Sequence, residues 1–145
     1  HTPDAFKKIL STIKKINPKK QIITLFGCGG DRDKDKRPMM AEIAEKNSYK
    51  TIITNDNPRY ENPQKIINEI VSGFKTDNHD IINDREIALE QQIKNLNKNQ
   101  ILVVLGKGIE NYQIIKNKKI YHSDSEIVES LIWESKLKKR NYLRN

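Results

Sequence analysis

Three short runs in this chain are apolar but for β-branched threonines and hold no charge: Ile22-Ile23-Thr24-Leu25-Phe26, Thr51-Ile52-Ile53-Thr54 and Ile101-Leu102-Val103-Val104-Leu105. A strand with one wet face alternates, whereas a run of this kind fits a strand covered on both faces, as in a parallel sheet flanked by helices. The segments between the runs have helical spacing. Phe6, Ile9, Leu10, Ile13 and Ile16 fall on one helix face, with Thr2 as the expected N-cap, Pro3 at the first position and Asn17-Pro18 ending it. Pro38 is expected to open a second helix through Met39, Met40, Ile43 and Ala44. Asn62-Pro63 caps a third carrying Ile66, Ile67, Ile70 and Val71, closed by Gly73. Asp84 caps a fourth with Ile87, Ala88, Leu89, Ile93 and Leu96 inward, after a short Ile81-Ile82 strand. A hairpin around Asn117 then joins Tyr112 to Ile115 with Lys118 to Tyr121, and Ser123 with Glu126 forms a capping box for a last helix carrying Ile127, Val128, Leu131 and Ile132.

Strand and helix thus alternate along one domain's length of 145 residues. The expected class is α/β: a Rossmann-like, doubly wound, mostly parallel sheet of about five or six strands with helices on both faces. No stretch approaches the ~20 apolar residues of a membrane span. The single cysteine, Cys28, excludes an internal disulfide, and without a Cys/His cluster there is no zinc signature. A reducing, cytoplasmic setting is the default reading. The opening His1-Thr2-Pro3-Asp4 has no signal-peptide character and no start methionine, so the chain is read as cut from something longer.

The formal charge of +8 first suggests an anionic partner such as nucleic acid. Its distribution weakens that reading. Residues 1 to 20 carry six Lys and one Asp, residues 136 to 145 carry five basic residues and no acid, and the 115 residues between them hold 16 basic and 18 acidic groups.

Ligands of open α/β sheets bind beyond the carboxyl ends of the strands. The three loops there are Gly27-Cys28-Gly29-Gly30-Asp31-Arg32-Asp33 onward to Pro38, Asn55-Asp56-Asn57-Pro58-Arg59, and Gly106-Lys107-Gly108-Ile109-Glu110. Individually they read as a solvated charged loop, an Asx-Pro turn, and a glycine loop without Walker spacing. Together they bring Arg32, Arg59, Asp56 and Glu110 to one rim, a set suited to a zwitterion, since guanidinium forks take carboxylates and carboxylates take ammonium groups.

These boxes, followed by Tyr112-Gln113 and Ser123-Asp124, come in the order and spacing of one family. The chain resembles the C-terminal domain of the Mur ligases that add the third residue of the peptidoglycan stem, the UDP-N-acetylmuramoyl-tripeptide synthetases. The likeness runs from His1-Thr2-Pro3-Asp4, similar to the end of the family's linker motif, to about Leu131. It implies residues 1–135 as the amino-acid-binding domain and 136–145 as a basic tail. It further implies an enzyme with an N-terminal sugar-nucleotide domain and a central ATPase domain, using ATP and Mg2+ bound mainly by the central domain. That enzyme activates UDP-MurNAc-L-Ala-D-Glu as an acyl phosphate, which the amine of the third residue attacks. No catalytic or metal-binding residue is then expected in this chain.

By the same resemblance Arg32, Asp56, Asn57, Pro58, Arg59, Gly106 and Glu110 form the amino-acid site, and His1 and Asp4 lie near the nucleotide, although Asp4 also suits a first-turn dipole partner. The box arginine, Arg59, favours meso-diaminopimelate, whose far carboxylate lysine lacks. One departure is Ile109, where the family's third box has histidine. Lysine or ornithine as substrate, or a freestanding nucleotide- or nucleic-acid-binding module, are the alternatives. His79 and His122 read as surface or turn residues, Met39 and Met40 as core, and Cys28 shows no signal of a lowered pKa.

Overall fold

The computed structural model describes residues 2–142. Its elements are α1 (Pro3–Ile16), β1 (Gln21–Phe26), α2 (Lys36–Asn47), β2 (Lys50–Ile53), α3 (Pro63–Val71), β3 (His79–Ile81), α4 (Arg85–Asn95), β4 (Gln100–Val104), β5 (Tyr112–Ile115), β6 (Lys118–Tyr121) and α5 (Asp124–Tyr142). The α/β class stands. The main sheet has four strands in the order β3-β2-β1-β4, all parallel. The strand count is the correction: β5 and β6 do not join that sheet but form a separate antiparallel pair. Their two-residue turn, Lys116-Asn117, places the positive φ of 55° on Lys116.

Alternate positions of β1 point to opposite faces. Ile22 and Phe26, with Ile53 and Val103, pack under Phe6 and Leu10 of α1, Met40, Ala41 and Ala44 of α2, and Ile66, Ile67 and Ile70 of α3. The Phe6 and Phe26 rings meet edge to face at 5.0 Å. Ile23, Leu25 and Ile52 pack on the other face under Ala88 and Leu89 of α4, with Ile127 and Val128 of α5 against them. Each such aliphatic or aromatic side chain stabilises by roughly 1.5–3 kcal/mol on full burial, so the middle strands hold the layers together.

The expected caps form. Thr2 Oγ1 accepts from Ala5 N, Asn62 Oδ1 from Gln64 N and Asp84 Oδ1 from Ile87 N. Ser123 Oγ accepts from Glu126 N, but the Glu126 carboxylate accepts from the Tyr121 hydroxyl instead of reaching back, so only half the capping box is made. Gly73 does not close α3 in a left-handed conformation. Its missing Cβ lets α3 approach the Pro38 backbone, which a side chain would overlap.

Several residues of the apolar periodicities are exposed: Ile9, Ile16, Met39, Ile87 and Leu96. The run at 101–105 is an edge strand in which Val103 alone is buried. Helix α5 passes residue 135 without a break, into the stretch assigned to the basic tail. Among the described residues no helix is long and apolar enough to cross a membrane.

Candidate functional site

Strands β1 and β4 are neighbours whose following loops leave the sheet edge where the strand order reverses, the position at which open α/β sheets form a crevice. The loops after β1, β2 and β4 enclose a cleft of about 320 Å³ there, with Arg32, Asp56, Asn57, Arg59 and Glu110 on its walls. Five residues singled out in sequence, up to 78 positions apart, are thus brought together. Gly106 backs the cleft: its φ is +108°, and a Cβ there would lie 2.8 Å from Asp56 Oδ2. Pro58 is buried behind the wall, its carbonyl so close to Gly30 that no side chain fits between them. Asp4 is exposed in the first turn of α1 and does not line the cleft, whereas Thr2 does. His1 lies outside the described residues. Ile109, the departure from the family box, is fully exposed at the loop tip and does not line the cleft.

Arg59 sits in the left-handed region, with φ +52°. For a residue with a Cβ that costs about 1 kcal/mol or more and persists only where the surroundings over-determine it. Here its N–H donates to Ile114 O at 3.0 Å and its carbonyl accepts from Lys116 N at 2.7 Å, a one-residue bridge onto β5. Its Nη1 donates to Gly30 O at 2.8 Å. The rest of the fork is free of hydrogen bonds among the described residues, while Arg32 is exposed at the rim.

Behind these groups lies Lys107, which sequence reading passed over as part of a glycine loop. It is 2% exposed. Its Nζ donates to Asn57 Oδ1 at 2.9 Å and Tyr112 O at 2.6 Å, and stands 3.2 Å from Asp56 Oδ1 and 3.8 Å from Glu110 Oε2. Asn57 completes the lattice, donating from Nδ2 to Glu110 Oε2 at 3.0 Å and accepting from Ile114 N at 3.0 Å. Both oxygens of Asp56 are buried and neither has a hydrogen-bond donor among the described residues, the Lys107 contact being a charge pair. Buried carboxylates are normally hydrogen-bonded, so Asp56 keeps acceptor capacity that Lys107 meets by charge alone.

The glycine loop after β1 is held from below by Arg37, 1% exposed. Its Nη1 and Nη2 take the two oxygens of Glu61 at 2.7 and 2.8 Å, Nη1 also reaches Glu69 at 2.5 Å, and Nη2 donates to Gly29 O at 2.9 Å. That fork is the main cause holding the Glu61 carboxyl down at about 2, and it raises Arg37 itself. Burial pushes the Cys28 thiol up to about 12, with Asp56 adding to the effect.

The third loop is anchored by a second buried ion pair. Arg85 gives Nε and Nη2 to the two Asp124 oxygens at 2.9 and 2.7 Å and donates from Nη2 to Leu105 O at 3.0 Å. His122 Nε2 lies 2.8 Å from Asp124 Oδ1 and is buried, so it is part of this network rather than a surface histidine. Burial works against the Asp124 charge, but Arg85 and His122 outweigh it and hold the carboxyl far below its usual range. His79 belongs to β3 and stacks on Phe74 at 4.3 Å.

A model of the family described as "Mur ligase, glutamate ligase domain" matches residues 1–108. The chain is 51% identical over 143 residues to a UDP-N-acetylmuramoyl-L-alanyl-D-glutamate-2,6-diaminopimelate ligase of Buchnera aphidicola subsp. Baizongia pistaciae, which covers 98% of this chain and 27% of that protein. It is 47% identical over 134 residues to ligase 1 of the same name from Clostridium acetobutylicum, over 92% of this chain and 28% of the relative. A solved structure of a ligase of that name superposes with a TM-score of 0.87 at 36% identity, over 93% of this chain and 28% of the other. The chain therefore spans about a quarter of the length of the curated relatives it matches.

Proposed function

This chain belongs to the Mur ligase family, and from that premise we propose that it is the C-terminal, amino-acid-binding domain of an ATP-dependent ligase joining meso-diaminopimelate to UDP-MurNAc-L-Ala-D-Glu in peptidoglycan synthesis. The observation that carries this reading is the pairing, in one cleft, of a buried carboxylate lacking a hydrogen-bond donor with two arginines that have guanidinium nitrogens to spare. Asp56 and Glu110 suit an ammonium group, while Arg59 and Arg32 suit a carboxylate. A zwitterionic end, as on diaminopimelate, satisfies both. Lysine would leave the Arg59 fork unmatched, and sites built to bond a polar group discriminate strongly against analogues lacking it.

The role of these residues is to hold and orient the amino acid, so that its other amine reaches the activated carboxyl as if in a single molecule. Arg59 grips the far carboxylate, its backbone fixed by β5 and its Nη1 by Gly30. Asp56 and Glu110 anchor the ammonium of the same end, and Asn57 keeps Glu110 in place.

Neither ATP nor Mg2+ is assigned to this cleft, where Gly106-Lys107-Gly108 turns its lysine inward onto Asp56 and Asn57. We assign both to the central domain of the full-length enzyme, with the sugar nucleotide on its N-terminal domain, working in the bacterial cytoplasm.

The test is Arg59→Ala in the full-length protein, assayed by phosphate release with UDP-MurNAc-L-Ala-D-Glu and diaminopimelate, lysine or ornithine. Loss of charge-assisted bonds worth roughly 1.5–3 kcal/mol raises the KM for diaminopimelate about ten- to a hundredfold and leaves that for ATP unchanged. Equal effects on both substrates, or a wild-type enzyme preferring lysine or ornithine, would defeat the assignment.

A further inference from the structure

We propose that Lys107 is a positioning residue that sets the charge selectivity of the cleft, favouring an amino acid whose far end is a zwitterion over one whose far end is a bare cation. This rests on the reading of the cleft as an amino-acid site. Lys107 does not line the cleft, yet its ammonium is within 4 Å of both acidic groups that do, Asp56 at 3.2 Å and Glu110 at 3.8 Å.

Its first effect is geometric. By bonding Asn57 Oδ1 and Tyr112 O it fixes the Asn57 amide, whose Nδ2 then fixes Glu110. One ammonium thereby ties the loop after β2, the loop after β4 and the start of β5 into a single wall.

Its second effect is electrostatic. Other charged groups near the cleft are engaged with one another: Asp33 with Lys36 at 3.4 Å, and Arg37 and Lys34 with Glu61 and Glu69. Three cations remain, Arg32, Arg59 and Lys107, against two carboxylates, Asp56 and Glu110. A zwitterionic end enters this field without net charge, whereas the end of a lysine or ornithine side chain brings a further cation. Lys107 supplies one of these three charges, and it is buried, where salt screens it least. With a neutral residue at 107, cations and carboxylates balance and the penalty on a cationic end is lifted.

The measurement is the ratio of kcat/KM for meso-diaminopimelate to that for L-lysine in the full-length ligase, for wild type, Lys107→Gln, Lys107→Met and Lys107→Arg. A unit charge roughly 6 Å from the ligand is worth about a hundredfold at an effective dielectric near 20, so the ratio is expected to fall about ten- to a hundredfold in both neutral variants. Lys107→Arg, which keeps the charge, retains the wild-type ratio even where turnover drops. A purely structural lysine would lower both efficiencies by one factor, and a ratio unmoved in the neutral variants overturns the proposal. So does failure of both neutral variants to fold while Lys107→Arg folds, since the charge then serves stability alone. A wild-type protein that joins neither amino acid defeats the underlying reading of the cleft and this assignment with it; an active ligase with an unmoved ratio defeats the assignment alone.

Discussion

Replacing Arg37 by methionine removes the clamp under the glycine loop while keeping most of the buried volume. Glu61, its main partner, is held at about 2 against an ordinary 4.5. At about 1.4 kcal/mol per pH unit, that difference is about 3 kcal/mol, and the Glu61 side chain is buried enough for solvent to take little of it. Breaking one side of a buried pair costs about 3–5 kcal/mol by general experience, which agrees. With an unfolding entropy near 2.1 cal/mol/K per residue, about 0.3 kcal/mol/K here, the expected fall in Tm at neutral pH is about 10–15 °C. The sign with pH follows from the depressed carboxyl. Its contribution is complete above the unfolded value near 4.5 and disappears as pH falls through about 2. Thermal unfolding of parent and Arg37→Met chains between about pH 7 and pH 2 should therefore show two curves that are widest apart at neutral pH and converge in acid. A neutral-pH difference under about 3 °C, or one that persists unchanged to pH 2, would refute the clamp as the source of stability.

Gly73→Ala drives a Cβ into the Pro38 backbone; overpacking of that kind costs about 1–3 kcal/mol, and a Tm within about 1 °C of the parent would show that α2 and α3 can part freely. Cys28, raised to about 12, is ionised in roughly one molecule in 10⁵ at neutral pH. Iodoacetamide should leave it unmodified in the native chain and label it fully on unfolding, as read by mass spectrometry; rapid native labelling would contradict its buried placement.

Features legible in the sequence are those whose causes are local. Thr2, Asn62 and Asp84 cap helices through bonds to residues two or three positions on, and three strands show themselves by uncharged, largely apolar runs. Periodicity is blunter: it marks Ile87 and Met39 as apolar positions, yet the buried positions are Arg85, Ala88 and Leu89 in α4 and Arg37, Met40, Ala41 and Ala44 in α2, and Ile87 and Met39 lie off those faces and are exposed. Whether β5 and β6 extend the main sheet depends on edge geometry that no local pattern encodes. The cleft residues were legible because glycine, proline and charge concentrate in strand-end loops. Their supports were not. Lys107 meets Asn57 across 50 positions, Arg37 meets Glu61 across 24 and Arg85 meets Asp124 across 39, and a lysine or arginine read singly is expected in solvent.

The bridge between Arg59 and β5 has a consequence for how this domain can change over evolutionary time. The hairpin lies beyond residue 108, where the match to the family model stops, although the Buchnera relative aligns over 98% of this chain. Yet the backbone of Arg59 is hydrogen-bonded on one side to residue 114 and on the other to residue 116. A gain or loss of one residue within Tyr112–Ile115 would slip that register and turn the guanidinium out of the cleft, while the same change beyond Lys116 would leave it in place. Drift in a peripheral hairpin is therefore coupled to the shape of the cleft through one backbone position, and under the function proposed above this gives substrate preference a second place to mutate that is not in the pocket.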